Sequence, residues 1–202
     1  MKKLVLSLTL AASSVPVLAA DLFDTVAGRL AATPLVRAEF TQTRHIAALK
    51  KPLVIKGHMV LERSSGVIWN IDSPYKMSYA MGSKGVREIL PDGSQRVKSA
   101  RDIPGIGSVE GLFNAILSAD RVVLARYFKS QLSGSADNWQ LSLAPSAPVL
   151  AKALSAVELG GGRNLQSVRI AEASGDETRI QFANIQIKPG LTADEQKLLG
   201  AH

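Results

Sequence analysis

Residues 53–81, LVIKGHMVLERSSGVIWNIDSPYKMSYAM, hold three strand-length runs that put apolar residues on one parity with little interruption. In the first run Leu53, Ile55, Met59 and Leu61 alternate with Val54, Lys56, His58, Val60 and Glu62. The second sets Val67, Trp69 and Ile71 against Ile68, Asn70 and Asp72, and the third, after Pro74, sets Tyr75, Met77, Tyr79 and Met81 against Lys76, Ser78 and Ala80. Strand side chains alternate between faces, so consecutive runs of this kind predict an antiparallel sheet with one apolar and one polar face. The function turns on what covers the apolar face.

Working outward, Val36 to Arg44 alternates in the same way, with Val36, Ala38 and Phe40 on one side, and reads as the strand before this stretch. Upstream, Asp21 is the expected N-cap of a helix running to about Leu30, with Leu22, Phe23, Val26 and Leu30 at helical spacing. Downstream, Val86–Leu90 and Arg96–Ser99 flank the turn Pro91-Asp92-Gly93. The meander then breaks at the loop Asp102–Gly107. Ser108 is placed to cap a helix with Val109, Leu112, Phe113 and Ile116 on one stripe, and Asp120 to cap a second short helix. Further strands are expected at 127–132, 139–144, 155–159, 165–173 and 178–187, with a short helical insert at 145–153 and a last helix capped by Thr192. Ten or eleven strands with few helices make the chain mainly β, a strongly curved antiparallel sheet. Side chains fill its concave face if it closes on itself; helices must plug it if it stays open.

Composition bounds the function. The 202 residues, 46% apolar and 20% charged, suit one globular domain. Residues 1–19 read as a secretory signal, with Lys2 and Lys3, an apolar stretch from Leu4 and small residues ending at Ala19, leaving 20–202 as a single mature domain. The chain has no cysteine, which excludes disulfides, thiol nucleophiles, cysteine metal sites and lipidation at the cleavage point. Net charge is +7, and losing Lys2 and Lys3 lowers it by 2 to +5, which favours anionic surfaces. The basic residues are too scattered for a nucleic-acid stripe, so no nucleic-acid partner is expected.

The candidate chemical motifs read blandly. His45 and His58 fall on a loop and on the polar parity of a strand, without carboxylates at ligand spacing, so no metal or cofactor is expected. Gly160-Gly161-Gly162 reads as a hairpin loop and Asp176-Glu177 as a turn pair. Gly105-Ile106-Gly107-Ser108 fails the Gly-x-Ser-x-Gly pattern, so an enzyme is not expected.

Phe40-Thr41-Gln42 after a helix ending Arg29-Leu30, then Gly57, Arg63, Trp69, Pro74 and the glycine turn at Gly85, resembles the periplasmic outer-membrane lipoprotein carrier family of the LolA type. The resemblance is close from about Leu22 to Leu90 and looser beyond, where it rests on strand count, the mid-chain helices and the Gly175-Asp176 hairpin. It implies an unclosed antiparallel β half-barrel with an N-terminal helix and mid-chain lid helices. It also implies a monomeric periplasmic carrier in a Gram-negative bacterium, which takes acyl chains from an inner-membrane ABC transporter donor to an outer-membrane receptor. The cavity would be lined by Phe40, Ile55, Met59, Leu61, Val67, Trp69, Ile71, Met77 and Tyr79, the lid formed by Leu112, Phe113 and Ile116. Arg63 would be the lid switch, since the family's matching arginine bonds the lid and closes the empty cavity. By parity Arg63 continues the apolar face through Leu61, where a guanidinium needs acceptors; the other reading is a solvated turn residue. Ser65, the insert at 145–153 and an aromatic content of only 5% depart from the family pattern. They leave room for a chaperone dedicated to one lipid pathway, or for a lipid-sensing or protein-interaction module on the same fold.

Overall fold

The structure, a computed structural model, describes residues 17–82, 85–98, 121–187 and 190–200. It comprises α1 (Val17–Ala31), β1 (Leu35–His45), β2 (Leu53–Glu62), β3 (Gly66–Ser73), β4 (Met77–Gly82), β5 (Gly85–Ile89) and β6 (Gln95–Lys98). After these come α2 (Arg121–Tyr127), β7 (Phe128–Ser135), β8 (Asn138–Pro145), α3 (Pro148–Ala151), β9 (Leu154–Gly161), β10 (Leu165–Glu172), β11 (Glu177–Ile187) and α4 (Ala193–Leu199). The eleven strands form one antiparallel sheet in the order β6-β5-β4-β3-β2-β1-β11-β10-β9-β8-β7. Two hairpin meanders are therefore joined at the centre by β1 and β11, and β6 and β7 remain as edges, so the sheet is an open half-barrel.

The predicted parity sets the inner face. Ala38 and Phe40 on β1, Met59 and Leu61 on β2, Val67, Trp69 and Ile71 on β3 and Tyr79 on β4 are all buried in one apolar cluster. Trp139, Leu141 and Leu143 on β8, Val157 and Leu159 on β9, Val168 and Ile170 on β10 and Ile180 on β11 complete it from the other meander. The helix α1 lies over this concave face, with Phe23 and Val26 buried in the same cluster.

Four expectations are corrected. The first helix begins at Val17, so Asp21 lies within it: Val17-Leu18-Ala19-Ala20 contains no breaker and extends the helix upstream. The strand β4 begins at Met77, and Tyr75 is 48% exposed in the bend after it leaves β3, because Pro74 has no N–H for the ladder. Gly160 and Gly161 belong to β9, and the hairpin turn starts only at Gly162. There a Cβ on Gly161 would stand 2.7 Å from the ring of Trp139, whose Nε1 donates to the Gly162 carbonyl at 2.8 Å.

The fourth correction concerns the outer face, which is not uniformly polar. Leu35, Val60 and Ile68 are buried there beneath Leu199 of α4. Thr192 caps that helix as expected, in a capping box with Glu195, and Gly200 ends it in the left-handed region at φ 69°. On the same face Arg37 Nη2 donates to Glu195 at 2.7 Å and Arg87 donates to the Leu198 carbonyl. The bond from Arg37 holds the Glu195 carboxyl down at about 2.

Candidate functional site

The site is the concave face beneath α1. Phe40 and Trp69 stack with ring centroids 3.8 Å apart, and Phe182 of β11 meets Trp69 edge-on at 6.4 Å. These three rings join the two meanders at the middle of the sheet. Gly57, paired with Ile71 and beside Phe40, makes room for the stack: a Cβ there would lie 1.8 Å from the Asn70 carbonyl oxygen and 2.9 Å from the Phe40 ring. At the β4 end the face turns polar. The Tyr79 hydroxyl donates to Glu88 at 3.4 Å, and burial pushes its pKa up to about 12.

Two apolar cavities flank α1. The first, about 60 Å³ and partly open to solvent, is bounded by Leu30, Met59, Leu61, Arg63, Leu165 and Phe182 among others. The second, about 30 Å³, lies between Phe23, Val26 and Leu30 of α1, Leu124 of α2 and Trp139, Leu141 and Leu159 of the sheet. Leu30 borders both. Both hollows are small while α1 is seated, below the volume of a small-molecule site, and the linings are chiefly aliphatic and aromatic.

Arg63 follows β2 in the turn to β3. Its Nη2 donates to the Leu30 carbonyl at 2.6 Å, and its backbone N–H donates to the Pro34 carbonyl at 3.0 Å. Leu30 is in the last turn of α1, where carbonyls lack helical partners and the helix dipole favours a cation. Burial lowers the pKa of the guanidinium from its ordinary value. From the other meander, Arg29 Nη1 donates to the Ala136 carbonyl at 2.7 Å and to Asp137 at 2.8 Å. The C-terminal end of α1 thus spans the open mouth, tied to the β2–β3 turn and to the β7–β8 turn.

Of the residues singled out from sequence, Phe40, Met59, Leu61, Val67, Trp69, Ile71 and Tyr79 are buried together, and Ile55 and Met77 pack against them half-buried. Arg63 stands at the cavity edge and bonds α1 rather than a solvated position. The lid residues Leu112, Phe113 and Ile116 lie outside the described residues. Phe182 and Ile185 also line the first cavity. Alternation from Ile180 reaches Phe182, but Ile185 has the opposite parity. The pairing of β1 with β11 slips between Arg37 and Glu39, and Asn184 takes φ 50°, a bulge that turns Ile185 inward.

A mainly β half-barrel with an apolar hollow under a helix is the architecture of a binding protein. The chain belongs to the family described as outer membrane lipoprotein carrier protein LolA-like, whose model matches residues 12–189. No curated protein matches it in sequence. Among solved structures, MucB is 14% identical over 87% of this chain and 62% of its own, with a TM-score of 0.50. A LolA superfamily protein from Nitrosomonas europaea is 8% identical over 88% of this chain and 96% of its own, with a TM-score of 0.46. A putative outer membrane lipoprotein-sorting protein domain from Vibrio parahaemolyticus is 10% identical, covering 90% of this chain and 99% of its own, at a TM-score of 0.46. No described helix is long and apolar enough to cross a membrane.

Proposed function

We propose that the protein is a non-catalytic periplasmic carrier that holds the acyl chains of lipoproteins, or of a related lipid, against the concave face and ferries them from the inner to the outer membrane. The observation that carries this reading is the bond from Arg63 to the last turn of α1 over two unfilled apolar cavities. Each buried methylene is worth about 0.8 kcal/mol, so a chain of ~16 carbons gains on the order of 12 kcal/mol before ordering costs. Such cargo needs a counterweight if it is to be released. Entry of an acyl chain displaces α1 and separates Arg63 from the Leu30 carbonyl; departure of the cargo restores the bond. An inner-membrane ABC transporter as donor and an outer-membrane receptor complete the route, and the signal-like residues 1–19 support export of the mature chain to the space between them.

The test is native mass spectrometry of the mature wild-type protein and of Arg63→Leu purified from the periplasm, with transfer of an acylated peptide to acceptor vesicles. The expected result is acylated adducts on both, with Arg63→Leu retaining cargo longer. Bare protein that also fails to bind an acylated peptide, or unaltered transfer by Arg63→Leu, counts against the proposal.

A further inference from the structure

The connections on one rim of the half-barrel differ in character from those on the other. Strand β2 begins at Leu53 on the first rim and ends beside Arg63 on the second. The first rim carries the β1–β2 loop, the bend between β3 and β4, the β5–β6 turn, the start of β7, the β8–β9 connection with α3 and the β10–β11 turn. Of the eight large hydrophobic residues exposed among the described residues, six lie there: Leu49, Leu53, Val54, Tyr75, Tyr127 and Val149. The remaining two are Val97 on edge strand β6 and Ile187 at the opposite end of β11.

The same segments carry cations. Residues 46–56 carry exposed Lys50, Lys51 and Lys56, residues 74–76 carry exposed Lys76, and α3 is followed by exposed Lys152, with no acidic residue in any of these segments. Of the acids elsewhere on the rim, Glu172 and Asp176 pair with a cation, while Asp72 and Asp92 are exposed and make only local bonds. Asp72 faces His58 at 2.9 Å, Asp92 accepts from the Ser94 N–H at 2.9 Å, and Glu172 and Asp176 meet Arg44 at 3.4 and 3.3 Å.

We infer that this rim docks directly on an anionic lipid surface, with Leu49, Leu53 and Tyr75 entering the interfacial layer and the lysines meeting lipid phosphates. Exposed aliphatic and aromatic side chains in lysine-bearing segments match the two forces at a bilayer surface: apolar burial at the headgroup boundary and attraction to anionic lipid. The positive charge of the chain adds long-range attraction. Arg63 and the end of α1 stand at the far rim and stay uncovered in this pose. The docking does not require the cargo reading.

Co-sedimentation of the mature protein with phosphatidylglycerol–phosphatidylcholine vesicles, and with phosphatidylcholine alone, tests it. The expected result is binding to the anionic vesicles only, weakened at least tenfold by Leu53→Ser/Tyr75→Ser, and by Lys50→Ala/Lys51→Ala, which removes two surface charges. Binding also weakens between about 0.05 and about 0.5 M salt, as screening requires. The control Val97→Ser/Ile187→Ser binds as wild type, and circular dichroism verifies the fold of each variant. No binding to either vesicle, equal binding by the rim variants, or loss of binding in the control overturns the inference. Self-association abolished by Leu53→Ser/Tyr75→Ser without vesicle binding would assign the patch to a second copy and overturn it as well.

Discussion

The concave face under α1 and the convex face under α4 are closed by helices on the same sheet, yet the two closures have different physical characters. The convex closure is small and fixed: Leu199 is 2% exposed, the helix is capped at both ends, and Arg37 and Arg87 bond its side chain and backbone. The concave closure buries far more apolar surface but leaves two cavities beside the helix, and Arg29 and Arg63 tie its C-terminal end across the mouth. An unfilled void forfeits dispersion contacts that a ligand can restore. The difference teaches where this fold can yield to a guest: stability is concentrated in the central strands and the outer latch, and adaptability under α1.

The largest expected effect comes from breaking the concave centre. Gly57→Ala forces a methyl into the Asn70 carbonyl and the Phe40 ring, and should cost more than about 3 kcal/mol in chemical denaturation. A loss below about 1 kcal/mol would mean that the β2–β3 register adjusts freely. Leu199→Ala and Leu30→Ala then compare the two covers with the same truncation. Leu199→Ala should lose about 2–4 kcal/mol and leave acyl-chain affinity unchanged, while Leu30→Ala, bordering both cavities, costs less stability and alters affinity. Equal effects on affinity would erase the distinction.

Acid should release the outer latch first. Glu195 sits at about 2 when folded because Arg37 donates to it, well below an ordinary carboxyl, so the unfolded chain binds the proton more readily. Its stabilisation is fully present above the unfolded carboxyl range and is lost as pH falls from about 5 towards 2. Glu195→Gln should flatten that part of the stability profile, with about 1–2 kcal/mol lost at neutral pH. A profile identical to wild type would show that the pair contributes nothing. The smallest effect is Thr192→Ala, about 1 kcal/mol through the lost cap, with acyl-chain affinity unaltered.

Strand alternation made the architecture legible: all eleven strands fall on predicted runs, and the seven buried site residues share one face of the sheet. Arg63 was identifiable as an intruder on the apolar face, but its acceptor on α1 depends on tertiary placement. The outer core was missed because Val60 and Ile68 stand singly on their own face, between His58 and Glu62 and between Gly66 and Asn70, and only the docking of α4 buries them. Ile185 was hidden by the bulge at Asn184, since one extra residue reverses the parity on which the reading rests. The strand role of Gly161 reflects the bulk of Trp139 and that of Gly160 the close approach of Ser167, neither of which a local turn signal encodes.

The central claim is that cargo enters under α1 while α4 stays seated, and hydrogen exchange with and without an acylated peptide measures both helices at once. The account predicts faster exchange in the last turn of α1 on binding, as the Arg63–Leu30 bond opens, with the amides of α4 unchanged. Unchanged or slower exchange at that turn, or a response in α4 instead, would contradict it.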